Sequence, residues 1–196
     1  VVAQDTTRYG QDLYGEYKLA ELLRKLAQID GFRWIRVLYA YPERITDELL
    51  EVMASEPRIA KYIDIPLQHC NKQILRDMNR PGDRETIEAL ISKVREKVPG
   101  ITVRTTLIAG FPGETEEQFE ELCQFVKDMR FDRLGCFAYS PEEGTPAAEM
   151  EGQLDEQLKI HRAEIVTEEQ MNIMAQENEK KVGQVVTVVT EGFDRF

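Results

Sequence analysis

The sequence predicts an α/β fold, a partial, open (β/α) barrel of parallel strands. Three observations predict it. Short β-branched apolar runs alternate with longer amphipathic segments, and parallel neighbours need such long helical connections. The run from Val103 to Ile108 enters a glycine-rich loop, Gly110-Phe-Pro-Gly-Glu-Thr115, and then a capped helix. With 196 residues the chain supplies too few strands for a closed eight-stranded barrel, so the sheet is expected to stay open.

Taken in order, Val1-Val-Ala3 reads as the tail of a buried strand whose earlier residues precede the sequence given. A helix is expected from Tyr14 to Ile29, with Leu19, Leu22, Leu23 and Leu26 as its apolar stripe and Gly31 as its stop. Trp34 to Tyr39 is the next strand, and Thr46 caps a short helix that turns Leu49, Leu50, Val52 and Met53 inward. Tyr62 to Ile65 is a strand stopped by Pro66, Asn71 starts a brief helix, and Asp83 caps a longer one after the turn at Arg80-Pro-Gly. Thr115 and Gln118 have capping-box spacing for a helix to Arg130, followed by a strand from Arg133 to Tyr139. A long helix spans Leu154 to Lys181. The alternating Val185, Thr187 and Val189 then predict a terminal strand from a small β domain, giving domains 1–182 and 183–196.

Composition excludes some functions. The 42% hydrophobic and 31% charged content is that of a globular protein, and no apolar run reaches membrane-spanning length. A net charge of −11 argues against free nucleic-acid binding and suits a basic protein partner. Cys70, Cys123 and Cys136 stand far apart, so no cluster of metal ligands is expected, and unpaired cysteines point to a reducing, cytoplasmic compartment.

In a parallel sheet the loops after successive strands share one rim, where α/β folds hold ligands. Gln4-Asp-Thr-Thr7, Pro66-Leu-Gln-His69, Gly110 to Thr115 and Ser140-Pro-Glu-Glu-Gly-Thr145 all fall there. Gln4 and Asp5 can accept from an ammonium group, while Thr6 and Thr7 can equally satisfy loop backbone. Gln68 and His69 can bind hydroxyls or a carboxylate, although His69 can also be a structural histidine. Arg104 starts its strand and reaches a substrate only if its side chain enters the barrel. The glutamates from Glu114 to Glu121 read as the dipole-matched start of a helix. No nucleotide P-loop or dinucleotide fingerprint occurs.

Ala3-Gln-Asp-Thr-Thr-Arg-Tyr-Gly-Gln-Asp-Leu-Tyr-Gly15, Asp64-Ile-Pro-Leu-Gln-His69, Leu107-Ile-Ala-Gly-Phe-Pro-Gly-Glu-Thr115 and Ala138-Tyr-Ser-Pro-Glu-Glu-Gly-Thr-Pro-Ala147 together resemble the radical S-adenosylmethionine methylthiotransferases. The likeness covers essentially the whole chain and favours the branch that modifies an aspartate of a small-subunit ribosomal protein. It implies S-adenosylmethionine and two 4Fe-4S clusters as cofactors of the full-length enzyme, the cluster cysteines lying in segments other than this one. It also implies that the terminal strand opens a substrate-recognition domain of TRAM type. By resemblance, the Gln4, Asp5 and Thr6 loop meets the methionine amino group and Gln68 the ribose and carboxylate. The Gly110–Phe111 strand end, with Tyr139 or Ser140, flanks adenine. Glu142 and Glu143 would face a basic ribosomal-protein substrate; Arg104, from its position rather than from the resemblance, is a substrate-facing candidate if its side chain enters the barrel. The parent reaction so implied is reductive cleavage of the cofactor to a carbon radical, then sulfur insertion at an unactivated carbon. The piece itself is expected to hold neither cluster, to bind cofactor weakly at most, and to self-associate through exposed strand edges.

Two other readings stay open. Transfer-RNA methylthiotransferases share the Gly-Phe-Pro-Gly-Glu-Thr loop, but carry Gln-Asn-Val-Asn where this chain has Gln4-Asp-Thr-Thr7, and tend to carry a basic residue near Glu142-Glu143. A non-catalytic α/β binding scaffold is the third.

Overall fold

The computed structural model of the chain describes residues 3–188, 190 and 192. Strands β1 (Ile35–Val37), β2 (Ile59–Gln68), β3 (Thr102–Ala109) and β4 (Arg133–Ala138) form one all-parallel sheet in the order β1-β2-β3-β4. Helices α1 (Gln11–Tyr14), α2 (Leu19–Ala27), α3 (Asp47–Ser55), α4 (Lys72–Asp77), α5 (Arg84–Lys97), α6 (Glu116–Met129) and α7 (Glu156–Glu179) alternate with or follow the strands. This is the open α/β arrangement that the alternating pattern predicts.

β3 shows how the sheet divides its two faces. Val103, Thr105, Leu107 and Ala109 are buried, while Thr102, Arg104, Thr106 and Ile108 are half-buried, the period of two that a strand imposes. The buried set joins Ile63, Leu50, Met53, Ile91, Phe125 and Val166 in one core between the sheet and its helices. The alternate set lies on the sheet's open face.

The helix starts follow from their caps. Thr46 accepts from the Leu49 amide, and Asp155 from those of Gln157 and Leu158. Asp83 with Thr86, and Thr115 with Gln118, form reciprocal capping boxes. Each cap satisfies amides that would otherwise lack partners, worth about 1 kcal/mol.

Three expectations are corrected. The helix expected from Tyr14 to Ile29 is two helices, because Gly15 adopts φ 73° and closes α1 before Lys18 opens α2. Pro66 does not stop β2, which continues to Gln68. The β2–β3 register shifts between Ile65 and Gln68, and that irregularity accommodates a residue with no amide hydrogen to give. The terminal strand is absent over 184–188: Val185, Val186 and Val188 are exposed, and no neighbouring strand supplies a ladder. The strand tail expected at Val1 and Val2, like the part of the terminal strand at Val189, lies outside the described residues.

Candidate functional site

At the carboxyl ends of β1 and β2 lies a cleft of about 660 Å³, lined by Ala3, Gln4, Tyr39, Tyr41, Pro66, Gln68 and Arg80. It brings together Gln4, from the first loop, and Gln68, the last residue of β2. It also adds Arg80, which the sequence shows only as part of a turn. One Arg80 nitrogen donates to the Pro66 carbonyl at 2.9 Å, and its guanidinium lies 4.8 Å over the Tyr41 ring. With five N–H donors available, the group keeps capacity for an anion in the cleft. Asn79, before it, ends α4 in the left-handed conformation at φ 55°, with the Arg80 amide on the Leu75 carbonyl at 2.8 Å.

Strained backbone lines the cleft. Of four non-glycine residues at positive φ among those described, Tyr39 and Gln68 line this cleft and Asn79 precedes Arg80. Asn79 and Arg130 are both ordinary left-handed helix ends, so the strain at the cleft is that of Tyr39 and Gln68. Such backbone costs roughly 1–3 kcal/mol per residue, and its clustering is a mark of ligand sites.

The first loop divides its labour. Asp5 accepts from the Thr7 amide at 3.0 Å, from the Thr7 hydroxyl, and from Arg44 at 2.6 Å. Thr6 donates to the Leu38 carbonyl at 2.7 Å. The Thr7 hydroxyl accepts from the Tyr41 amide at 3.3 Å. Asp5 and Thr6 therefore pin the loop to the segment that follows β1, leaving Gln4 as its exposed side chain in the cleft.

The rim at β3 is built on a buried charge network. Glu114, only 4% exposed, accepts from the Gly110 amide with both oxygens at 3.0 Å and from Arg162 of α7 at 2.7 Å. His69, expected to meet ligand, is instead fully buried. Its Nδ1 accepts from the Asn71 amide at 2.9 Å, which places the imidazole proton on Nε2. Nε2 lies 3.4 Å from Glu114 Oε2, too poorly aligned for a hydrogen bond but within electrostatic reach. His69 thus ties the β2 loop to the β3 loop from behind. Gly110 sits at φ 78° against Lys159, where no side chain fits. Pro112-Gly113, with Gly113 also at φ 78°, has the composition of a type II turn.

Phe111 is likewise buried, edge-on to Tyr139 with ring centroids 5.3 Å apart. The pair belongs to a small core with Ile74 behind the rim. The Tyr139 hydroxyl is buried without a partner, while Ser140, Glu142 and Glu143 are exposed on the loop that follows. None of these lines the cleft at Gln4 and Gln68. Arg104 does point to the open face, where it bonds Asp64 at 2.6 Å, and that partner raises its pKa.

The three cysteines are unpaired and sit on different elements. Cys70 is fully buried, and burial pushes its thiol far up; Cys136 is pushed up to about 12 for the same reason. Cluster ligation needs clustered thiolates, whereas these sit on separate elements, Cys123 on α6 and Cys136 on β4. No group of three potential metal-ligating side chains occurs among the described residues. None of the described helices is long and apolar enough to cross a membrane.

Comparison with known proteins agrees with this anatomy. A methylthiotransferase of Desulforamulus reducens, named "Ribosomal protein uS12 methylthiotransferase RimO", is 51% identical over 97% of this chain. A protein of the same name from Symbiobacterium thermophilum is 52% identical over 98%. The chain spans 43% and 39% of their respective lengths. Among solved structures, coproporphyrinogen III oxidase of Escherichia coli, described as a radical SAM enzyme, superposes with a TM-score of 0.59 at 25% identity, covering 81% of this chain and 36% of that one. Archaeal Elp3 from Methanocaldococcus infernus, at 16% identity and a TM-score of 0.52 over 80% of this chain and 36% of its own, shares the fold. The family model "Radical SAM superfamily" matches residues 7–126, which hold α1 to α5, β1 to β3 and the Gly110 loop, and the chain belongs to that superfamily.

Proposed function

We propose that the full-length protein transfers a methylthio group to the β-carbon of an aspartate in ribosomal protein uS12, using S-adenosylmethionine. The observation that carries this reading is the cleft of Gln4, Gln68 and Arg80, edged by strained backbone, in a radical SAM chain that is half identical to uS12 methylthiotransferases. A ribosomal target places the reaction in the cytoplasm.

The residues fit the cofactor but not the clusters. Gln4 and Gln68 offer amide oxygens to an ammonium group and amide donors to hydroxyls or a carboxylate. Arg80 offers a charge-assisted contact to the carboxylate, pre-oriented by Tyr41 and Pro66. The Gly110 turn brings backbone rather than a side chain to the rim, its α-carbon packed against Lys159 of α7. When bound, S-adenosylmethionine supplies the carbon radical chemistry; this chain's residues bind it, orient it and exclude water. The two 4Fe-4S clusters belong to cysteine sets elsewhere in the longer protein. In this reading residues 183–196 open the TRAM-type domain, and Glu142 and Glu143 meet a basic face of the target. The short β1 edge is a place where the isolated chain can self-associate.

Two results are expected. In the full-length protein, calorimetry should show S-adenosylmethionine binding weakened about 10- to 100-fold by Arg80→Ala, the loss of one charge-assisted hydrogen bond. Mass spectrometry of uS12 should show one methylthio group on aspartate; a modified transfer RNA beside an unmodified uS12 would favour the sister reaction. For the 196-residue chain alone, reconstitution with iron and sulfide should leave no stoichiometric cluster. About four irons per chain would overturn that.

A further inference from the structure

The sheet's open face carries a charge pattern opposite to that of the chain. Parallel register sets Arg104 beside Asp64 on one side and beside Arg133 on the other. On the next strand pair, Arg36 stacks 4.7 Å over the Tyr62 ring. Three guanidinium groups thus share one face of a protein with net charge −11. Like charges directly opposite one another across strands oppose folding, so Arg104 beside Arg133 calls for an anion.

Asp64 meets only part of that need. It is 2% exposed and bonds Arg104 at 2.6 Å. Among the described residues, no carboxylate lies in ion-pair range of Arg133 or Arg36; the Arg133 side chain reaches only the carbonyl of Asp132, at 2.9 Å. Both are exposed. Toward the rim the face becomes apolar, with half-buried Ile108 beside Phe137, a phenyl ring 59% exposed. Gly135, between Arg133 and Phe137, lets the Phe137 ring lie over the strand, 3.7 Å from where a Cβ would stand. An aromatic shelf above an unpaired arginine suits a peptide that buries its apolar part and ends in a carboxylate. Phosphate chains suit it less, because they offer no apolar part to the exposed Phe137 ring.

We propose that Arg133, set beside Arg104, determines target specificity by reading a carboxylate on the segment of ribosomal protein that docks against this open face. The inference rests on the uS12 reading above and goes beyond it by naming the recognition group. Asp64 holds Arg104 as a fixed neighbour and Arg36 is stacked on Tyr62, so Arg133, on the same strand as the exposed Phe137 ring, is the cation best placed for the target. The fork of a guanidinium matches a carboxylate with two parallel bonds, which gives geometric selection as well as charge.

Calorimetric titration of full-length protein with uS12 tests this. Arg133→Gln should weaken binding about 10- to 100-fold, the worth of a hydrogen-bonded charge pair, and Arg133→Lys should retain part of it. Against uS12 whose acidic residues in the modified segment are changed to amides, wild type and Arg133→Gln should bind alike. In turnover the loss should appear in KM rather than kcat. Equal binding of uS12 by wild type and Arg133→Gln would overturn the proposal while leaving uS12 as the target. The proposal fails equally if the loss persists undiminished against the amide-substituted protein, or if only transfer-RNA binding weakens. A wild-type protein that neither binds nor modifies uS12 would overturn both this proposal and the functional reading beneath it.

Discussion

Arg162→Met should destabilise the protein by about 3–5 kcal/mol, the cost of leaving a buried charge without its partner. Glu114 is the charge in question. It is 4% exposed and depends on Arg162 at 2.7 Å and on the Gly110 amide for compensation. Arg162 also bonds Glu116 at 2.7 Å, but Glu116 is exposed and can turn to water when the arginine is gone. Adding Glu114→Gln to Arg162→Met should recover part of the loss, because an amide can still accept from Gly110 without stranding a charge. Equilibrium unfolding in urea measures both. A single variant within about 1 kcal/mol of wild type would mean that water reaches Glu114 and that the network is weaker than its burial indicates.

The second large effect separates two glycines with the same backbone. Gly110 and Gly113 both have φ 78°, but a methyl group at Gly110 would drive into Lys159, and one at Gly113 would meet nothing within 4 Å. Lys159 cannot easily yield, since it is 4% exposed and its ammonium is held by Glu156 at 2.6 Å. Gly113→Ala should therefore cost only the left-handed backbone, about 1–2 kcal/mol. Gly110→Ala adds overpacking of about 1–3 kcal/mol, for about 2–5 kcal/mol in all. Equal losses in the two variants would show that α7 shifts to make room. The Gly110 change should also weaken S-adenosylmethionine binding in the full-length protein, whereas a loss confined to stability would detach that turn from the ligand.

Local chemistry made most of this fold legible. The cap at Asp83 and the capping box at Thr115 were readable because each is a contact between residues three apart; the reciprocal bond of Thr86 to Asp83 came only with the structure. The alternation in β3 was readable because one face meets helices and the other does not. Pro66 misled because local rules end a strand at proline, whereas a register shift set by the neighbouring strand kept β2 going. The strand expected at Gln184 failed for the converse reason: a strand is a property of a pair, and the sequence of one member does not show whether the other is present.

The site was legible in outline and less so in its particulars. Gln4 and Gln68 meet in the cleft. His69 resembled a ligand contact until Asn71 and Glu114 were seen to enclose it, one two residues away and the other in a different loop. Arg80 was hidden because its significance depends on Tyr41 and Pro66, which are distant in sequence. Arg162 lies 48 positions from Glu114, and no motif spans that gap.

The alternation of β3 has a consequence for how such a protein can diverge. Its odd-numbered residues are committed to the helices, and its even-numbered ones are largely free of them. A lineage can therefore rewrite an even position such as Thr106 for another target while the odd positions keep the scaffold unchanged; Arg104 can change only together with buried Asp64, its ion-pair partner. Descent with a new substrate then requires no rebuilding of the molecule, only changes at alternate letters of its strands.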